Sequence, residues 1–269
     1  MLLDFYDSFV DKVQYFQSLI HNEKIKLIVV NMPGQFCTQF NPHKQHLSLS
    51  NAYYASCLDL LVYHLNERGV ISCIDRLGTF GLIGFGNGAN IALQFAQLML
   101  NDTTSMFKHL VLVNPITNIG DAAPVLESAK TNPNALLLDH MLHSGNLTES
   151  SWQWLIADNE RKYVVEGMAS NLPLEGKLEL MREPLPQLGS TLDVKVLYSI
   201  GNHLVPFKAV EQLLESTYSP ACGRHNLARL TTIDGGHDCL HDNPDAVRTY
   251  LQGVFDQVIK EESDVGDSV

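Results

Sequence analysis

With 269 residues, 45% of them hydrophobic and 18% charged, the chain has enough apolar material for one globular domain that needs no metal or disulfide to hold it. A net charge of −12 excludes the basic face that nucleic acid requires and disfavours an anionic membrane surface. Five scattered cysteines make no disulfide framework, no run is apolar enough to span a bilayer, and the acidic N-terminus is no secretory signal, so a cytoplasmic location is expected.

In chain order, Phe5, Phe9, Val10, Val13, Phe16 and Leu19 fall at helical intervals over residues 5–20. Lys26–Asn31 is a buried strand stopped by Met32-Pro33-Gly34-Gln35, and residues 51–69 form an amphipathic helix ending at Gly69. Phe80–Phe85 is a second strand and Ala89–Leu100 its helix, followed by a strand over His109–Pro115. Further strands are predicted at Val194–Ile200 and Leu227–Ile233, with helices at 207–217 and 244–260, the latter opened by Asn243-Pro244. Apolar strands without polar alternation, separated by helices, mean an α/β fold: a mostly parallel sheet of about five strands, covered on both faces. Residues 116–190 read as a polar, mostly helical cap inserted into this single domain of residues 1–260, and the acidic segment 261–269 as a disordered tail.

Gly84-Phe85-Gly86-Asn87-Gly88 sits between an apolar strand and a helix, the setting of a nucleophile elbow. Together with the strand order, the Pro-Gly-Gln and Asn-Pro turns and Asp234-Gly235-Gly236-His237, it makes residues 20–260 resemble an α/β-hydrolase. Within that superfamily, Val30–Gln35, Gly84–Ile91 and Leu112–Pro115 are similar to the N-myc downstream-regulated (NDR) family, whose members keep the fold without a working triad. The resemblance implies a triad at three positions. The nucleophile falls on Gly86, which has no side chain to attack with. The acid falls on Asn202, in Asn202-His203-Leu204-Val205-Pro206, and an amide cannot offset an imidazolium charge. The base falls on His237, which is intact. The fold also opens with three strands, and Met1–Tyr6 is too short for them, leaving a gap between Leu27–Val30 and the elbow strand. An open edge there invites a partner.

Other residues have plainer readings. Gly84-x-Gly86-x-Gly88 lacks dinucleotide-binding spacing, so no cofactor is expected. The cluster His237-Asp238-Cys239-Leu240-His241-Asp242 crowds one loop, and apart from His203 no second group at ligand-like spacing completes it, so no metal is expected either. Cys37 is more simply a core residue than a displaced nucleophile, and Trp152, Trp154 and Tyr163 more simply pack the cap than grip a ligand. Asp267-Ser268-Val269 is too short a signal for a carboxylate-reading domain. The expectation is therefore a protein that is not an enzyme, with a degenerate site at Gly86, Asn202 and His237, acting as an adaptor or subunit that binds another protein. The alternatives are a residual or repurposed hydrolase or lyase using His237, and a sensor holding a small ligand under the cap.

Overall fold

Four parallel strands pair in the order β1–β2–β3–β4 at the centre of the computed structural model: β1 Phe80–Phe85, β2 Phe107–Val113, β3 Asp193–Ser199 and β4 Leu230–Ile233. The structure describes residues 1–4, 12–20, 23–33, 50–71, 80–100, 107–116, 192–202, 205, 207–217 and 230–266. Within these lie helices α1 Val13–Leu19, α2 Asn51–Glu67, α3 Asn87–Leu100, α4 Phe207–Thr217, the one-turn α5 Cys239–Asp242 and α6 Pro244–Gly266. The predicted cap, residues 116–190, lies outside the described residues except for Ile116, and so do Cys37, Trp152, Trp154, Tyr163, His203 and the terminal Asp267-Ser268-Val269.

Alternate side chains of β1, β2 and β3 enter two separate cores, which is why these strands are mostly apolar, whereas β4 carries the exposed Thr231 and Thr232. Leu82, Leu110, Leu112, Val194, Val196 and Tyr198 pack with residues of α2, α3 and α4. Ile83, Phe85, Val111, Val113 and Leu197 pack with Phe16 and Leu19 of α1 and Val247, Leu251, Val254 and Phe255 of α6. Ser50 starts α2, its Oγ accepting the Tyr53 N–H at 3.0 Å. Asn243 starts α6 in the same way, taking the Ala246 N–H, with Pro244 behind it.

The expected gap beside the elbow strand is filled by the chain itself. Leu2 bridges in parallel to both Val30 and Gly84. The Met1 nitrogen donates to the Ile28 carbonyl at 2.7 Å, and the Val30 N–H donates to the Met1 carbonyl at 3.0 Å. On the other side the Leu2 N–H donates to Ile83 O at 2.8 Å and the Phe85 N–H to Leu2 O at 3.0 Å. Leu2 enters the first core and Leu3 the second, as a strand's neighbours must. Four residues thus do the work assigned to an absent strand, and the predicted strand Lys26–Asn31 shrinks to one bridge at Val30 because its partner is so short. The edge that motivated a docking partner is closed at this point. Leu2 is fully buried, so Leu2→Ala is expected to cost about 2–5 kcal/mol, read as a lower urea midpoint at unchanged slope.

The last helix, α6, runs on to Gly266, into the segment expected to be a tail. Gln257 donates to Glu261 one turn later, Ser263 Oγ donates to the Ile259 carbonyl, and Glu261 comes within 3.9 Å of His109 Nε2 on β2. Glutamates are good helix formers, and this contact gives the segment a place on the sheet. No helix of the described residues is long and apolar enough to cross a membrane.

Candidate active site

The carboxyl ends of β1, β2, β3 and β4 lie side by side, and each runs into a loop that supplies part of one site. At the end of β1 the chain turns sharply at Gly86, with φ of +53°, before α3 begins at Asn87. This is the elbow predicted from Gly84–Gly88. What the sequence did not reveal is the group that occupies it.

Asp4, 1% exposed, projects its carboxylate into the space an elbow side chain would take. A Cβ built on Gly86 would lie 1.6 Å from Asp4 Oδ2 and 2.2 Å from its Cγ, so the missing side chain of one residue is the room for the other. Gly88 serves the same approach: a Cβ there would stand 2.6 Å from the Leu3 carbonyl oxygen. Asp4 Oδ2 lies 3.0 Å from His237 Nε2, and Oδ1 accepts the Asn87 N–H at 3.1 Å. That amide is the first of α3, so the helix dipole also favours negative charge here. Asp4 and His237 are almost completely buried, so the hydrogen bond between them is shielded from water. A cavity with the volume of about one water is lined by Asp4, Phe85, Gly86, Val113, His237 and Asp238, among others.

His237 is held by the backbone of its loop. Asn114, just past β2, has φ of +45° and turns its amide across the sheet. Its Nδ2 donates to the His237 carbonyl at 2.8 Å and to Ser199 Oγ at 2.9 Å, while its Oδ1 accepts the Ser199 N–H at 2.8 Å. Asp242 adds a brace by accepting the Gly236 N–H at 2.7 Å. Asn114→Ala would strand the Ser199 amide and His237 carbonyl in the interior. A loss of about 2–4 kcal/mol is expected in chemical denaturation, with Asn114→Asp losing less because it keeps the acceptor for Ser199.

Of the three residues expected at the site, Gly86 and His237 meet around Asp4. Asn202 is occupied locally: its Oδ1 accepts the Val205 N–H at 3.3 Å and so shapes its own loop. Tyr198 fastens the same loop by donating to the Val205 carbonyl at 2.6 Å, and burial raises its hydroxyl pKa above the ordinary value, keeping it a donor. Within the supposed metal cluster, His237 faces Asp4, Asp242 serves Gly236 and Cys239 is buried in the second core. Among the described residues, no three such side chains converge to hold a metal ion. Asp4 and Asn114 are the residues of this arrangement that the sequence reading did not single out. The one trace of Asp4 is an acid directly after the apolar pair Leu2-Leu3, where a strand hands over to a loop.

No family model matches the chain, and no curated protein does. Solved structures do. The RedJ thioesterase of prodiginine biosynthesis in Streptomyces coelicolor is 14% identical, with a TM-score of 0.61 over 94% of this chain and 83% of its own. A structure from a study of carboxylesterases of the thaumarchaeon Nitrososphaera gargenis is 15% identical, with a TM-score of 0.61 over 97% of this chain and 90% of that one. An esterase from Thermogutta terrifontis is 16% identical, with a TM-score of 0.58 over 96% and 88%. The fold is that of the α/β-hydrolases. The expectation that the chain is not an enzyme is corrected by these comparisons, since the fold it shares is carried by esterases and thioesterases. That expectation came from Gly86, Asn202 and the short leading segment; at Gly86 the space of the absent side chain is taken by the Asp4 carboxylate.

Proposed function

We propose that the chain is a hydrolase whose reacting pair is Asp4 and His237, set at the elbow in place of a serine and its histidine. One observation carries this reading: Asp4 Oδ2 lies where an elbow side chain would project, 3.0 Å from His237 Nε2. An imidazole so placed can take a proton from water or hand one to a leaving group, and a buried carboxylate fixes its orientation. The fold supports the same reading.

The test is turnover of four substrate classes by the intact chain: short p-nitrophenyl esters, acyl thioesters, epoxides and primary bromoalkanes. Hydrolysis of at least one class is expected, falling roughly 10²–10⁴-fold in both Asp4→Asn and His237→Ala. Turnover that survives both substitutions, or none in any class, would sink the reading.

A further inference from the structure

We propose that Asp4 is the covalent nucleophile of this site, and that its substrates carry, on a saturated carbon, a group that leaves as an anion, as in an alkyl halide. This rests on the hydrolase reading above and goes further, naming the attacking atom and the substrate class.

The two carboxylate oxygens are not equivalent. Oδ1 is engaged by the Asn87 N–H at the start of α3, while Oδ2 stands in the elbow position against His237. In acyl transfer, the amide following the elbow residue must receive the oxyanion of the substrate. Here that amide is already taken by Asp4 itself, so an acyl substrate finds its oxyanion donor occupied. Displacement at a saturated carbon generates no oxyanion on the substrate and needs no such donor. An anionic leaving group also needs no proton from the site. The occupied amide, which counts against esters and thioesters, is no obstacle to this other chemistry.

The steps balance. An Oδ2 lone pair forms a bond to the substrate carbon, and the carbon–halogen bond breaks with its electron pair, releasing halide and leaving an alkyl ester on Asp4. In the ester Oδ2 is no longer an anion holding a proton at Nε2, so His237, in the tautomer with its proton on Nδ1, takes a proton from water at Nε2 as the water oxygen bonds to Asp4 Cγ. The negative charge of that tetrahedral centre develops on Oδ1, where the Asn87 N–H and the α3 N-terminus already point. Collapse breaks the Cγ–Oδ2 bond, and the departing alkoxide takes the proton from His237 and leaves as the alcohol. The regenerated carboxylic acid gives its own proton to solvent. One oxygen of Asp4 now comes from water, and the oxygen of the alcohol comes from Asp4.

That exchange is the test, and it uses the unaltered chain. Enzyme in excess over 1-bromobutane is incubated in H₂¹⁸O through a single turnover, and both the butanol and the peptide containing Asp4 are weighed by mass spectrometry. The expected result is ¹⁸O in Asp4 and unlabelled butanol. His237→Gln should in addition accumulate the peptide heavier by one butyl group. Label in the butanol with none in Asp4 would mean direct attack by water, overturning the proposal while leaving the hydrolase reading intact. Hydrolysis of esters or thioesters without bromide release overturns the substrate class in the same way. No turnover of any class removes both.

Discussion

Gly86→Ser, the change that would write an ordinary elbow into the sequence, is expected to destabilise the protein by about 2–5 kcal/mol and to create no esterase. Two effects combine. A side chain at φ of +53° is strained by about 1–3 kcal/mol, and its Cβ would have to occupy the place of the Asp4 carboxylate. At roughly 2–4 °C per kcal/mol for a large domain, thermal unfolding should fall by several degrees or more. The informative partner is Gly86→Ser combined with Asp4→Gly. If the two groups compete for one space, the double variant will be more stable than the sum of the single losses by about 1 kcal/mol or more. Strict additivity would mean that Asp4 does not occupy the elbow.

Asp4→Ala is expected to cost about 3–5 kcal/mol, because it leaves a buried imidazole and the first amide of α3 without their acceptor. Asp4→Asn should cost less than half of that. Its side-chain oxygen can still receive the Asn87 N–H, and only the charge facing His237 is lost. Activity should divide differently, since neither variant keeps a carboxylate and both should be equally inactive. Urea unfolding and halide release, measured on the same two preparations, separate the roles. A variant set in which activity tracks stability would reduce Asp4 to a structural residue.

The sheet was legible because its strands are buried on both faces and read as plain apolar runs, as Leu110–Val113 and Val194–Tyr198 do. The elbow was legible because its glycines lie within five residues of one another, between a strand and a helix that announce themselves. Asp4 was not. Its partner His237 is 233 residues away, and no local pattern joins them. A leading segment too short for three strands concealed that it was long enough for one. Asn202 stands where the order of elements would put a triad acid, and what the sequence could not show is that its side-chain oxygen accepts from Val205, three residues on. Asn114 stood in a recognised Asn-Pro turn, but three hydrogen bonds that converge on it from β3 and the His237 loop exist only once the strands are adjacent.

The insertion of Met1–Asp4 between Val30 and Gly84 also fixes when the site comes into being. Those four residues cannot be hydrogen-bonded on both sides until β1 is in place, and the Asp4–Asn87 bond closes a separation of 83 residues. Closing such a loop is costly before the rest of the sheet rewards it, so the segment belongs to the late events of folding. The stability lost in Leu2→Ala should accordingly emerge as faster unfolding, with the refolding rate little changed. Activity should return after the sheet's far-ultraviolet signal does, because the carboxylate reaches the elbow only when Leu2 bridges Val30 and Gly84.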